Sequence, residues 1–473
     1  MPTSPDCLKA VEYSRANRQT ALDGLVDLLR YATISSQYPA NQAEFEKCSE
    51  WLATRLVKMG FTQAQVLPTR EGGAPAVYAE WKGAGEAAPT LLVYGHYDVM
   101  PVDPLEEWRR PPFEPQIDDR AIYARGASDD KGQVFAILCA AEAWLKGSGS
   151  LPVNLKVLIE GEEEMLSPHL EALLVEKRDL LRCDGIVIAD IGGLGPEVPL
   201  VEYGNRGNCP MEISVSGPSK DLHSGTYGGA VDNPFNVLAR LLAALQDGET
   251  RKITIPGFYD KVKEMTTQQR QYLAAMPVTD EVGLYLTGAP ALGGEQGYPL
   301  KERVSSRPDF EIHGITGGYT GPGIKTVIPA MATAKISFRL VPDQDPDEVF
   351  QMVKDYLAQL APPTVRLSFT LLGKSYPATM DLNDPVVVAS DEAYRRVWGV
   401  SPVFIRGGGS EPVVYMFQQH TNPAILMTGF GLPDDREHSP NENFELRQFY
   451  NGIEMMINYF AVYAALAKGA SLF

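Results

Sequence analysis

Short apolar runs alternate with helical patterns over residues 75–190, and this alternation constrains the fold more than any other feature of the sequence. The runs and helical patterns follow one another at 75–81, 89–95, 131–146, 153–160, 168–180 and 185–190. Strands that alternate with helices predict crossover connections and a mainly parallel sheet that is covered by helices. We therefore expect an α/β protein whose chemistry lies at the carboxyl ends of the strands.

The pattern changes near Gly207, which indicates a second domain inserted into the first. Strand-like and helical segments follow at 211–216, from Asn233, and at 331–341, 346–360 and 364–371, around a loop-rich stretch that reaches about 325. The α/β pattern resumes with a helix at about 384–397, strands at 402–406 and 423–428, and a helix from Leu446. The sequence thus predicts an α/β domain of residues 1–206 and 381–473 and an inserted α+β domain of residues 207–380.

The charge balance restricts the partners that the chain can bind. Lys and Arg number 42 against 60 Asp and Glu, a net charge of −18 that repels phosphate backbones and anionic membrane surfaces. The longest apolar run, Tyr459 to Ala467, is far shorter than the ~20 residues of a membrane span. The five cysteines are odd in number and form no Cys-x-x-Cys pair, which fits reduced cytosol. We expect a cytoplasmic protein that binds neither nucleic acid nor membranes.

Polar residues that can bind metal follow several of the predicted strands. His96 and Asp98 come after the run 91–95, and the period of two puts both on one side of an extended chain. This suits a zinc-bound imidazole whose tautomer is fixed by a carboxylate, although a His-x-Asp pair at a strand end is also a common structural hydrogen bond. The polar turn 126–132 contains Asp129 and Asp130; it is either a helix cap with acidic residues in the first turn, or one of its aspartates is a bridging metal ligand.

The run Glu160-Gly161-Glu162-Glu163-Glu164 follows the strand 153–159, and Asp190 ends the next apolar run in the same way. Crowded carboxylates repel unless cations or protons separate them, but a solvated acidic helix start is the alternative interpretation. His438 lies on a polar loop after the strand 423–428. Taken together, these residues supply nitrogen and oxygen ligands for two divalent cations, which suits zinc better than copper or an iron–sulfur cluster.

The arrangement resembles the dinuclear zinc metallopeptidase family of carboxypeptidase G, aminoacylase, succinyl-diaminopimelate desuccinylase and the carnosinase-like cytosolic dipeptidases, and the dipeptidase branch most closely. The resemblance covers nearly the whole chain. Its motifs are YGHYDV at 94–99, ARGASDDKG at 124–132, EGEEEMLS at 160–167, IVIAD at 186–190, DLHSGTYGG at 221–229, TVIP at 326–329, SFRLVP at 337–342, RGGGS at 406–410 and EHSPNE at 437–442.

The resemblance implies a role for each candidate residue of the α/β domain. Asp129 would bridge two zinc ions, with Mn²⁺ or Co²⁺ as the alternative metals. His96 and Asp190 would complete one site, and Glu164 and His438 the other. Glu163 would be the general base, and Asp98 would orient His96. Because three glutamates follow one another, base and ligand could shift by one position; alignment on Glu160-Gly161 and Ser167 selects Glu163 and Glu164.

Residues of the inserted domain gain roles by the same resemblance. His223 could be a turn residue, but in the family this histidine reaches the active site of a partner subunit and polarises the scissile carbonyl. Arg339 could pair with an acid on a strand surface; in the family it binds the terminal carboxylate of the substrate. Thr326, Gly409 and Ser410 would also contact substrate. The dipeptidase branch has Glu and Ile where this chain has Gly407 and Glu411, which leaves recognition of the substrate's amino side open.

The sequence therefore predicts a zinc-dependent hydrolase that cleaves the amide bond of dipeptides or similar small substrates with a free carboxylate. It would act as a homodimer assembled through the inserted lid domain. The alternatives are an N-acyl-amino-acid deacylase or carboxypeptidase with the same machinery, and a non-catalytic binding protein on the same fold. The glycine-rich stretch from Gly318 to Thr326 lacks the Gly-Lys-Ser/Thr ending of a phosphate-binding loop, and the chain has no Gly-x-Ser-x-Gly elbow, which disfavours a serine hydrolase.

Overall fold

A computed structural model of the protein describes residues 3–70, 72–276, 278–421 and 423–469. Its α-helices, in chain order, are α1 (Pro5–Ala16), α2 (Arg18–Leu29), α3 (Gln42–Met59), α4 (Lys131–Ala143), α5 (Leu170–Glu176), α6 (Arg178–Leu181), α7 (Ser224–Tyr227), α8 (Pro234–Ala243), α9 (Thr267–Ala275), α10 (Asp280–Thr287), α11 (Leu300–Ser305), α12 (Pro346–Leu360), α13 (Pro385–Trp398), α14 (Pro412–His420) and α15 (Leu446–Leu466). A π-helical turn, Trp144–Ser148, extends α4.

The strands, in chain order, are β1 (Gln63–Leu67), β2 (Ala76–Trp81), β3 (Thr90–His96), β4 (Gln116–Ile117), β5 (Ala121–Tyr123), β6 (Asn154–Glu160), β7 (Gly185–Ala189), β8 (Leu200–Glu202), β9 (Gly204–Asn205), β10 (Gly207–Ser216), β11 (Leu222–His223), β12 (Asp309–Gly317), β13 (Val327–Ile328), β14 (Met331–Leu340), β15 (Arg366–Leu371), β16 (Ala378–Thr379), β17 (Val403–Ile405), β18 (Ala424–Thr428) and β19 (Asn443–Glu445). Short 3₁₀ turns lie at Ser35–Gln37, Leu105–Glu107 and Glu163–Met165.

The chain divides into two compact units. Unit 1 comprises Met1–Tyr203, Met380–Phe404 and Met416–Phe473, and unit 2 comprises Gly204–Thr379 and Ile405–Tyr415. The segment Ile405–Tyr415, which contains the glycine-rich stretch around Gly407, belongs to unit 2. From the sequence we expected it in the α/β domain, whose second part was predicted as residues 381–473. Backbone hydrogen bonds explain the difference, since Gly407 donates to Gly204 and Arg206 donates to Gly409 within unit 2.

The sheet of unit 1 has the strand order β1-β2-β6-β3-β7-β18-β8-β17 among the described residues. Its central strands β6, β3, β7 and β18 are parallel, while β1, β2 and β8 pair antiparallel at the flanks. The central strands are buried over almost their whole length, as apolar strands covered on both faces should be. The predicted α/β class is confirmed.

Two buried helices contribute much of the core of unit 1. The helix α4 is buried on all sides from Lys131 to Ala141, and its sequence is apolar from Val134 to Ala141. The C-terminal helix α15 packs against α1, α4 and α13. Within the described part of the chain, no helix is both long enough and apolar enough to cross a membrane.

Unit 2 contains an antiparallel sheet in the order β12-β14-β10-β15. Alternate residues of β10 are buried, and these pack with helices α8 and α12 into one apolar core. The helix α12 has the predicted bounds because Asp345 caps it and Pro346 occupies its first turn. The expectation of loops up to about 325 was wrong, since α9–α11 and the nine-residue strand β12 lie there.

Candidate metal centre

The parallel strands of unit 1 end at one edge, and the residues that could bind metal follow these ends. His96 is the last residue of β3, and Asp190 directly follows β7, to which β3 is hydrogen-bonded. Glu164 lies in the 3₁₀ turn beyond β6. Asp129 immediately precedes the segment that starts α4, and His438 lies in the loop before β19. The topology of the sheet therefore gathers side chains that are far apart in sequence.

One candidate group consists of His96, Asp129 and Asp190, whose ligand atoms lie within 4.8 Å of one another. His96 Nε2 is 3.1 Å from Asp129 Oδ1 and 3.6 Å from Asp190 Oδ2. The imidazole of His96 is fully buried, and its backbone N–H donates to the Asp130 carboxylate. The ring is thus held with Nε2 facing two carboxylates, which is how a histidine and two acids would share a cation.

The second candidate group consists of Asp129, Glu164 and His438. His438 Nε2 is 2.8 Å from Asp129 Oδ2 and 3.2 Å from Glu164 Oε2. Asp129 thus uses one carboxylate oxygen toward each group, and this is the arrangement that a bridging ligand requires. The donor set of histidine nitrogens and carboxylate oxygens fits two neighbouring divalent cations of the zinc type.

Asp98 contacts residues of both candidate metal groups. Its backbone carbonyl oxygen lies 3.1 Å and its Oδ1 3.3 Å from His96 Nδ1, the ring nitrogen opposite the one that faces Asp129. Its two oxygens also accept hydrogen bonds from the backbone N–H groups of Glu163 and Glu164, at 3.1 Å each. The fully buried Asp98 carboxylate therefore orients the histidine and anchors the acidic turn together.

A buried ion pair holds the turn that contains Asp129. Glu442 accepts hydrogen bonds from the backbone N–H groups of Gly126, Ser128 and Asp129, and from the Arg125 guanidinium at 2.6 Å. Glu442 belongs to the motif EHSPNE, but the sequence alone gives it no role. Arg125 precedes the glycine-bounded turn and Glu442 follows His438, yet no local pattern indicates that these two side chains meet.

The electrostatics of the cluster favour bound positive charge. Hydrogen bonds to Asp129 and Glu164 raise the pKa of His438 to about 11. Burial opposes the charged form of His96, yet Asp190 and Asp129 hold the pKa of this histidine well above its usual range. Burial and the neighbouring Asp129 raise the pKa of Glu164 to about 7. The crowded carboxylates thus favour positive charge between them, which divalent cations would supply when bound.

The candidate residues of unit 2 fall into two places. Arg339, on β14, donates from Nη1 to the Ser410 hydroxyl at 2.9 Å, and Gly409 immediately precedes that serine. His223 lies on β11, which pairs with β13 directly after Thr326. His223 and Thr326 are exposed, and His223 Nδ1 accepts a hydrogen bond from the backbone N–H of Gly225. The structure thus brings Arg339 and Ser410 together, and it pairs His223 with Val327, the residue that follows Thr326.

The fold of unit 1 and its paired histidine–carboxylate groups define a class of α/β protein with a dinuclear metal centre. Residues 92–461 match the model of peptidase family M20/M25/M40, and the chain belongs to this family of metallopeptidases.

Two relatives and one solved structure show how closely the chain resembles characterised members. It is 33% identical over 433 residues to the Cys-Gly metallodipeptidase of Candida albicans, covering 88% of this chain and 89% of the relative. It is 33% identical over 393 residues to the Beta-Ala-His dipeptidase of Mus musculus, covering 82% and 79%. A solved M20 family metallo-carboxypeptidase from Sulfolobus solfataricus superimposes with a TM-score of 0.80 at 32% identity, covering 94% of this chain and 99% of that one.

Proposed function

We propose that this protein hydrolyses the peptide bond of dipeptides that carry a free carboxylate, with two zinc ions held by unit 1. The observation that carries the proposal is the pair of ligand groups sharing Asp129, in a chain 33% identical to two metallodipeptidases. His96 and Asp190 would complete one metal site, and Glu164 and His438 the other. When bound there, divalent cations supply Lewis acidity and lower the pKa of water towards ~7.

Glu163 is the general base in this proposal. Its side chain would take the proton of the attacking water and later deliver it to the leaving amine. The ligand groups found among the described residues include Glu164 and leave out Glu163, which supports the register chosen from the sequence. Since Asp98 anchors both backbone N–H groups, it would keep the base and the ligand in fixed relation to each other.

Arg339 and Ser410 bind the substrate carboxylate in this proposal. A guanidinium offers two parallel N–H groups to a carboxylate, and the hydrogen bond from Arg339 to Ser410 would fix that fork in place. Gly409 and Thr326 would contribute backbone or hydroxyl contacts to the same ligand. His223 would stabilise the oxyanion of the tetrahedral intermediate, reaching it from a partner subunit.

A homodimer is part of the proposal, and β12 supports it. Within the described residues β12 is an edge strand, and its residues from Glu311 to Gly317 are exposed. Ile312 and Ile315 on β12 and Met331 on β14 are 43%, 49% and 51% exposed. A long exposed edge with apolar side chains is suited to pairing with a second copy. The proposed location is the cytoplasm, because all five cysteines are free.

The test is a comparison of substrates on metal-loaded protein. A dipeptide should be hydrolysed much faster than its C-terminal amide, and Arg339→Ala should lose most of that preference, by roughly ten- to a hundredfold. Equal hydrolysis of acid and amide by the wild type would refute the carboxylate requirement.

A carboxypeptidase is the second candidate, favoured by the similarity to the Sulfolobus enzyme. Adding a tripeptide and an N-acetyl amino acid to the comparison separates the two. Release of the C-terminal residue from the tripeptide, at rates like those of dipeptides, would favour the carboxypeptidase, and hydrolysis of the N-acetyl amino acid would favour an N-acyl-amino-acid deacylase.

A further inference from the structure

A cavity of about 520 Å³ in unit 1 is lined by four arginines: Arg109, Arg110, Arg120 and Arg436. Only two acidic side chains, Asp118 and Asp434, line it in the described part of the chain. None of the five candidate metal ligands lines this cavity. Its size is that of a small-molecule pocket, and its positive charge contrasts with the net charge of −18 of the whole chain.

The arginines of this cavity are only partly neutralised by the protein. The side chains of Arg109 and Arg436 have no hydrogen-bond or ion-pair partner among the described residues. Arg110 lies 3.6 Å from Asp118 and stacks on the ring of Tyr123, and its buried Nη1 has no hydrogen-bond partner in the same set of residues. Unpaired guanidinium groups that converge on one concavity repel one another unless an anion separates them.

The cavity is also held in shape by the surrounding loops. The side chain of Asn441 accepts a hydrogen bond from the backbone N–H of Arg109 and donates one to the carbonyl of Glu107. Arg120 donates to the side-chain Oδ1 of Asn443 at 2.7 Å and to the Glu445 carboxylate. Asn441 and Arg436 belong to the loop that carries His438. Hydrogen bonds of Asn441 and Arg120 therefore join the two separate segments of the chain that line the cavity.

We propose that this cavity binds a small multivalent oxyanion, carrying phosphate or carboxylate groups, at a position distinct from the metal centre. Arginine forks match both kinds of oxyanion through paired N–H groups. Arg110 already faces Asp118 and Arg120 faces Glu445, so Arg109 and Arg436 are the two guanidinium groups left to bind the anion. Because Arg436 is two residues from His438, the bound anion would also restrain the loop that supplies this histidine.

The experiment measures anion binding to the metal-loaded protein by isothermal titration calorimetry at constant ionic strength. The probes are sulfate, succinate and fructose 1,6-bisphosphate. Sulfate and succinate distinguish a preference for tetrahedral oxyanions from a preference for carboxylates, and fructose 1,6-bisphosphate tests whether two linked phosphate groups bridge the arginines. Arg109→Gln and Arg436→Gln each remove one unpaired guanidinium and should weaken binding of the preferred probe by about tenfold or more. Metal content is measured in each sample, so that loss of metal is not taken for loss of anion binding.

Arg251→Gln is the matched control, because Arg251 is exposed, has a backbone φ of 60° close to the 61° of Arg436, and lies in unit 2. This variant should bind the probe as the wild type does. Binding that is equal in all variants would mean unspecific attraction and overturn the proposal. Failure of every probe to bind the wild type at concentrations up to ~20 mM would overturn it as well, whereas loss of dipeptidase activity alone would not bear on it.

Discussion

Replacing Glu442 by glutamine tests whether the Arg125–Glu442 pair organises the metal centre. Glutamine keeps the shape of the side chain but removes its charge. Arg125 is 1% exposed and would be left as a buried cation without its partner, which costs about 3–5 kcal/mol. The backbone N–H groups of Ser128 and Asp129 would also face a weaker acceptor. We expect the free energy of unfolding in urea to fall by roughly 3–5 kcal/mol.

Metal binding should weaken as well, because Glu442 holds the turn that carries Asp129. Loss of a group that orients a metal ligand lowers metal affinity by about 10–100-fold, which competition with a chelator measures. Glu445→Gln is the control: this carboxylate lies 3.2 Å from Arg120, whose side chain is half exposed. Such a pair contributes at most ~1 kcal/mol. If both variants lost the same stability and kept the same metal affinity, the organising role of Glu442 would be refuted.

Three further predictions concern the base, the subunits and a buried acid. Glu163→Gln should keep both metals and lose ~10²–10⁴-fold or more in turnover, while Glu164→Gln should lose metal. The opposite result in metal analysis would mean that the assignment of base and ligand is wrong by one position. Mixed dimers of Glu163→Gln with His223→Ala should regain some activity, and none after proven subunit exchange would exclude a shared site. Burial raises the pKa of Glu202 to about 7. The folded protein binds this proton more tightly than the unfolded chain does, so its free energy of unfolding falls as the pH rises from ~4.5 to 7. In thermal unfolding, Glu202→Gln should be more stable than the wild type by about 1–3 kcal/mol at pH 8 and equally stable at pH 4.

Much of unit 1 could be predicted because its signals are local. Apolar runs mark β3, β6 and β7, and the polar residues that follow them are the ones that the structure gathers. The capped helix α12 was predicted with its observed bounds for the same reason, since Asp345 and Pro346 mark its start.

Features that depend on distant partners could not be predicted. The strand β12 was missed because a β-bulge between Ile312 and Gly314 interrupts its apolar alternation, and pairing with β14 is what defines it. The contact between Arg125 and Glu442 joins residues 317 positions apart. The assignment of Ile405–Tyr415 to unit 2 likewise depends on backbone hydrogen bonds to Gly204 and Arg206.

The two ligand groups become complete at different times during synthesis of the chain. His96, Asp129 and Asp190 all lie before unit 2, whereas His438 follows Asp129 by 309 residues. At ~5–20 residues per second, His438 emerges about 15–60 s after Asp129. A nascent chain therefore contains the candidate ligands of the first group while unit 2 is still being made. Glu442, whose carboxylate holds the turn of Asp129, lies in the closing segment together with His438, so neither group reaches its final geometry until that segment has been made.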